Sequence, residues 1–161
     1  MFALRFVLLS ILLTVPVMAE EEPATPAAKL VTRDAPLVIA HRGYSRIAPE
    51  NTLVAFKFAL RVKADLVELD YFETDHGDLV VFHDKELDRT TNARQKLGAK
   101  KIIWETPLAD LRKLDAGSWK HANFRGAKVP TLAEPIALIQ KGRVTLNEHK
   151  RGNAESCVQV L

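Results

Sequence analysis

Four short apolar runs most constrain this chain: "LVIA" at residues 37–40, "DLVELDYFET" at 65–74, "DLVVFHD" at 78–84 and "RVTLNEHK" at 143–150. Each has strand length and β-prone composition. The first is apolar throughout, as strands are when a parallel sheet buries both their faces. Between the first two lies "NTLVAFKFALRVKA", in which Leu53, Phe56, Leu60 and Ala59 line one helical face and Asn51 or Thr52 is placed to cap the start. Between the second and third runs stands only Asp75-His76-Gly77-Asp78. So short a link cannot carry a parallel crossover, so those two strands are predicted to pair antiparallel.

Residues 84–128 are polar and irregular, with one short helical stretch near "PLADLRKL". They read as an excursion from the sheet rather than a core element. "VPTLAEPIALIQKG" then starts a helix, with Thr131 and Glu134 at capping-box spacing and Pro135 at the edge of the tolerated first turn. "NAESCVQVL" opens a further helix. Alternating strands and helices make an α/β fold, and both a doubly wound sheet and a (β/α)8 barrel fit the pattern.

The first nineteen residues stand apart. One positive charge at Arg5, the apolar core "FVLLSILLTVPV" and the ending "VMA" before "EEE" predict a secretory signal peptide at 1–19, cleaved after Ala19. The apolar run is short for a membrane span, so no stable membrane anchor is expected, and the protein is predicted to be exported to the periplasm or medium. Residues 20–36, rich in Pro, Ala and charge, read as a linker, and 37–161 as one domain. Lys and Arg total 23 against 20 Asp and Glu, well mixed, which argues against a nucleic-acid partner. Cys157 is alone, so no internal disulfide forms. Nothing in the sequence sets an oligomeric state.

The groups that carry chemistry collect where strands end, as they do in α/β enzymes. His41 and Arg42 close the first strand. Glu68 and Asp70 are two apart on the second, so both project from one face. Glu148 and Lys150 repeat that spacing on the fourth. A hairpin turn centred between His76 and Gly77 would set His83 opposite Asp70. Plainer readings stay open for each: a structurally satisfied histidine, an exposed acidic strand, a simple Glu148–Lys150 ion pair. Against them, charges inside "LVELDYF" are costly to bury unless paired or metal-bound. His76 and His121 are expected to face solvent.

In order along the chain, "AHRGYSRIAPENTLVAF", "VELDYFETDHGDLVVFHDKELDRTT", "LRKLDAGSWK" and "VPTLAE" resemble the glycerophosphodiester phosphodiesterase family. The resemblance implies a TIM-type (β/α)8 barrel with a small insertion after the second strand. A barrel of that kind takes about 250 residues, so the chain is expected to supply about its first half. The resemblance further implies hydrolysis of small-molecule glycerophosphodiesters to sn-glycerol 3-phosphate and an alcohol, with one divalent cation, Ca²⁺ or Mg²⁺. Carried across residue by residue, His41 is the general base and His83 the general acid, while Glu68, Asp70 and Glu148 hold the metal. Arg42 orients the phosphate, Glu50 supports the site, and Lys150 matches the basic residue after the third carboxylate. The ligand role the resemblance gives Glu148 puts it in the same inward row as Glu68 and Asp70, and alternation then adds Leu146 and Lys150 to that row and turns Asn147 and His149 outward. A lysophospholipid-cleaving relative and a non-catalytic, metal-binding fragment are the alternative readings.

Overall fold

The structure is a computed structural model and describes residues 34–139, 144–148, 155–156 and 159. The predicted leader at 1–19, the linker up to residue 33, Cys157, His149 and Lys150 lie outside these. The elements are β1 (Ile39–Ala40), α1 (Leu53–Arg61), β2 (Leu66–Glu73), β3 (Leu79–Val81), α2 (Ala93–Lys96), α3 (Leu108–Leu111), α4 (Ala133–Ile139) and β4 (Val144–Glu148), with a 3-10 turn at Ala122–Phe124.

β2 is the central strand. It pairs parallel with β1 (Ile39 with Leu66, Ala40 with Val67) and parallel with β4 (Val67 with Val144 through Tyr71 with Glu148). Its far end pairs antiparallel with β3, Tyr71 opposite Val81 and Glu73 opposite Leu79, as the short link between them requires. Three parallel strands joined through α1 and α4 are successive β/α units, the construction from which a barrel or a wound sheet is built.

Thr52, not Asn51, caps α1: its Oγ1 accepts from the Ala55 N–H at 3.3 Å and donates to the Pro49 carbonyl at 2.7 Å. The helix buries Ala55, Phe56 and Ala59, while Leu53 and Leu60 sit at the margin of the same cluster. That cluster joins Phe56 to Val67, Leu69 and Tyr71 of β2 and to Ile139 of α4. Burying each such side chain contributes about 1.5–3 kcal/mol. The opposite β2 face carries Glu68, Asp70 and then Phe72, as strand alternation demands.

Two expectations are corrected. β1 is not buried on both faces: Val38 and Ile39 are 60% and 51% exposed. β1 is only two residues long and, among the described residues, is paired with β2 alone. The segment after β3 is also more than an excursion, because it builds a core of its own. Phe72, Val80 and Phe82 pack there with Leu87, Ile103, Leu111, Leu114 and Val129. The Trp104 ring closes against Phe72 at 5.7 Å between centroids. The core residues outside the hairpin show no period in sequence because they come from turns, the four-residue α3 and irregular backbone, yet they bury the hairpin face that α1 and α4 leave uncovered. Arg112 ties this segment to α4, donating to Glu134 Oε2 at 2.7 Å and to the Val129 carbonyl at 3.0 Å. Half of the predicted capping box forms: the Thr131 N–H donates to Glu134 Oε2 at 2.8 Å, but the Thr131 hydroxyl also donates to that carboxylate, at 3.1 Å, and the Glu134 N–H goes to the Thr131 carbonyl at 3.2 Å. No helix among the described residues is long and apolar enough to cross a membrane.

Asp115 organises the "DAGSWK" loop. Its Oδ1 accepts from the Gly117 and Ser118 N–H groups at 2.8 and 2.9 Å, and its Oδ2 from Ser118 Oγ and the Gly126 N–H at 2.7 and 3.2 Å. Burial works against the charged carboxylate, but these bonds outweigh it and bring the pKa down from 3.8 to about 2. A depressed carboxylate stabilises the fold above its unfolded pKa, and that contribution fades as pH falls through the folded value. Asp115→Asn is therefore expected to lower stability at neutral pH while flattening the loss of stability between pH 3.8 and about 2. Urea unfolding at a series of pH values measures both effects.

Candidate active site

β1 ends at Ala40, and the next three residues make the turn that starts the site. His41 is exposed. Arg42 and Gly43 both take left-handed backbone, with φ of 55° and 77°. Such a conformation costs a non-glycine residue of order 1–3 kcal/mol and persists only where neighbours enforce it. Here the turn aims two consecutive N–H groups at one residue of β2: Arg42 N–H donates to Glu68 Oε2 at 2.7 Å, and Gly43 N–H to the Glu68 carbonyl at 3.2 Å.

Glu68 and Asp70 are 5% and 4% exposed, so each needs compensation for its charge. Asp70 Oδ2 accepts from Asn51 Nδ2 at 2.8 Å, and the Asp70 N–H donates back to Asn51 Oδ1 at 3.3 Å. Arg42 Nε stands 3.3 Å from Asp70 Oδ2, at ion-pair distance but without hydrogen-bond alignment. The other end of that guanidinium donates from Nη1 to Glu50 Oε1 at 2.9 Å. Asn51, read from sequence as a possible helix cap, instead anchors Asp70. Its own left-handed backbone (φ 53°) and its N–H bond to the Arg42 carbonyl fold the loop back onto the turn.

The hairpin centres on His76, since Tyr71 pairs with Val81 and Glu73 with Leu79. Asp70 is therefore level with Phe82, whose N–H donates to the Asp70 carbonyl at 3.0 Å. His83 comes one residue later than the sequence reading placed it. The cause is the turn, which the Thr74 side chain tightens by accepting the His76 and Asp78 N–H groups. His83 Nδ1 lies 2.6 Å from Asp84 Oδ1. Asp84 and Glu50 then share one cation. Arg89 Nη2 donates to Glu50 Oε1 at 2.7 Å and to Asp84 Oδ1 at 3.0 Å, Nη1 reaches Glu50 Oε2 at 3.2 Å, and Nε donates to Asp84 Oδ2. Burial raises both carboxyl pKa values, but Arg89 overrides it for each, helped by Arg42 at Glu50 and by His83 at Asp84. Both carboxyls end below their ordinary values. Reciprocally, Arg89 is held even more firmly protonated.

In the β2–β4 ladder Glu68 pairs with Thr145 and Asp70 with Asn147, while Glu148 pairs with Tyr71. Glu148 thus stands one position beyond the row that holds Glu68 and Asp70, whereas its implied ligand role had placed it within that row. A one-residue shift in register changes the row of every residue on a strand. Lys150 lies outside the described residues. Among those residues no three His, Cys, Asp or Glu side chains form a metal-binding group. His76 and His121 are exposed, as expected. Sequence reasoning brought His41, Arg42, Glu50, Glu68 and Asp70 to one place; the structure links Arg42 to Glu50, Glu68 and Asp70, with exposed His41 next to Arg42 in the same turn. It missed Asn51, Asp84 and Arg89.

The glycerophosphoryl diester phosphodiesterase family matches residues 41–154, well over half the chain. The chain belongs to this family. A glycerophosphodiester phosphodiesterase of Bacillus subtilis is 41% identical in an alignment of 146 positions that covers 84% of this chain and 45% of that protein. Glycerophosphodiester phosphodiesterase 1 of Homo sapiens is 35% identical over 134 residues, 82% of this chain and 39% of the human one. Among solved structures, a phosphodiesterase of Oleispira antarctica in complex with the product sn-glycerol-3-phosphate superposes with a TM-score of 0.67 at 39% identity. That match covers 78% of this chain and 51% of the other. The chain thus spans about half the length of the glycerophosphodiester phosphodiesterases it matches, and its parallel strands β1, β2 and β4 are a part of the family's barrel fold.

Proposed function

We propose that this glycerophosphodiester phosphodiesterase chain takes part in hydrolysing glycerophosphodiesters to sn-glycerol 3-phosphate and an alcohol. The observation that carries the reading is the turn at His41–Gly43 fastened onto buried Glu68 and Asp70. It gathers a histidine, a guanidinium and two carboxylates at the carboxyl end of adjacent parallel strands. The Oleispira antarctica relative, with sn-glycerol-3-phosphate bound, supports the substrate class.

His41 would take the proton of the attacking hydroxyl, and His83 would give one to the departing alcohol oxygen. Imidazole is the side-chain type suited to both taking and giving a proton in such an exchange. Arg42, held by Glu50 and set beside Asp70, would orient the phosphate. Two buried carboxylates side by side form a hard-oxygen donor pair suited to Mg²⁺ or Ca²⁺, and Mg²⁺ commonly uses one or two carboxylates plus substrate phosphate. Glu68 and Asp70 would hold such a cation, with Glu148 as the proposed third carboxylate. When bound, the cation would offset phosphoryl charge.

Glu148, displaced by one position in the ladder, is the ligand with most to prove. Glu148→Gln is expected to weaken Ca²⁺ binding in calorimetry with folding nearly intact; affinity equal to wild type would take it out of the ligand set. The whole reading is tested by assaying the chain on deacylated and lysophospholipid diesters, with Mg²⁺ or Ca²⁺ and with a chelator. Cation-dependent cleavage of the deacylated diesters supports it. Cleavage of the lipid alone would favour the lysophospholipase-type alternative, and cation binding without turnover the non-catalytic one.

We also propose export, on the strength of the short apolar core and the "VMA" ending before "EEE". Intact-mass measurement of periplasmic or secreted protein is expected to show cleavage after Ala19, and a species retaining Met1 would contradict it.

A further inference from the structure

We propose that Arg89 is a positioning residue that couples the two halves of the site: it clamps Asp84 to Glu50 and thereby fixes His83 with its proton on Nδ1, leaving Nε2 as the nitrogen that exchanges protons. The inference deepens the hydrolytic reading and rests on it for the role of His83.

Geometry carries it. One guanidinium uses both of its edges at once. Nε and Nη2 face the carboxylate of Asp84, and Nη1 and Nη2 face that of Glu50, a residue 39 positions earlier. The segment after β3 is thereby joined to the loop after β1. Beyond the clamp on one side, Asp84 Oδ1 meets His83 Nδ1 at 2.6 Å. An ionised carboxylate only accepts hydrogen bonds, so Nδ1 must be the donor, and Nε2 is the working nitrogen. Beyond it on the other side, Glu50 accepts from Arg42 Nη1 at 2.9 Å. The acid histidine and the phosphate-orienting arginine thus lean on one shared brace. The brace is a poor stabiliser, because the Arg89 side chain is 47% exposed and surface ion pairs contribute little. Orientation is what such a fork supplies. A lysine in its place would bring the same charge as a single point and could not grip two carboxylates along two edges.

Long-range proton–nitrogen NMR of the imidazoles in the full chain, above the histidine titration range, reads the tautomer without depending on turnover. Wild-type His83 is expected to be protonated on Nδ1. Arg89→Gln and Arg89→Lys should both lose this single tautomer and mix in the Nε2-protonated form, with kcat on a glycerophosphodiester falling about tenfold or more. The role is overturned if both variants keep the Nδ1-protonated tautomer, or if Arg89→Lys matches wild type in tautomer and kcat, which would make charge alone sufficient. Should Arg89→Gln fail to fold, the Arg89→Lys comparison decides. A folded wild-type chain that hydrolyses no diester counts against the functional reading, while the tautomer comparison still decides whether Arg89 holds His83.

Discussion

Alanine at His41 or at His83 is expected to cut turnover of a glycerophosphodiester by about 10²-fold or more. The two residues leave different strands, His41 just after β1 and His83 just after β3. Each is tied into the site by its own neighbour. The Arg42 N–H next to His41 is bonded to Glu68, and His83 itself meets Asp84. Separate anchorage lets one imidazole take a proton while the other gives one. The assignment of acid and base has its own readout. Loss of the acid matters less when the leaving alcohol is already a stable anion, so His83→Ala should be milder on an activated diester such as a nitrophenyl ester. His41→Ala should impair both substrates alike. An equal loss on both substrates in His83→Ala would remove it from the acid role. Cation affinity by calorimetry is expected to change little in either variant, since neither histidine is a proposed ligand.

Gly43→Ala is expected to destabilise the fold by about 3 kcal/mol or more, combining ~1–3 kcal/mol for overpacking with ~1–3 kcal/mol for a side chain at positive φ. A Cβ at this position would lie 2.8 Å from both the carbonyl carbon and the Cβ of Ala55 and 2.9 Å from the Phe56 ring. Two of those three atoms belong to the first turn of α1 near its backbone and cannot swing away. The glycine also takes φ of 77° and donates its N–H toward Ala40 and Glu68. Moving it would disturb the turn that carries His41 and Arg42 as well as the packing of α1. Domains of this kind have only about 5–15 kcal/mol of stability to lose. Urea denaturation of the variant measures the loss. A change below about 0.5 kcal/mol, the scatter of ordinary surface substitutions, would show that the turn relaxes freely and that the close approach is not needed.

Local pattern made much of this architecture legible. The four-residue link Asp75–Asp78 dictated an antiparallel hairpin, and "NTLVAF" announced a capped helix. The spacing of Glu68 and Asp70 placed both on one strand face, where both are buried. What sequence could not give was register. His83 and Glu148 each fall one residue away from the predicted row, because alternation fixes a repeat along a strand but not its offset from a neighbour. Nor could periodicity find the second core, whose members Leu87, Ile103, Leu111 and Val129 are scattered through turns, the four-residue α3 and irregular backbone. Arg89 was hidden for a related reason. Its partner Glu50 is remote in sequence, and only the juxtaposition of two loops brings them together. Asn51 had a local explanation as a helix cap that concealed its long-range bond to Asp70.

The central claim is that Glu68, Asp70, Arg42 and the two histidines serve cation-assisted cleavage on the alcohol side of a glycerophosphodiester. Phosphorus NMR of the folded chain with such a diester and Mg²⁺ or Ca²⁺ tests it most directly, because it reports which P–O bond breaks. The account predicts growth of the sn-glycerol 3-phosphate signal with release of the free alcohol, and no change when a chelator is present. An unaltered diester with either cation, or accumulation of a phosphorylated alcohol with free glycerol, would contradict it.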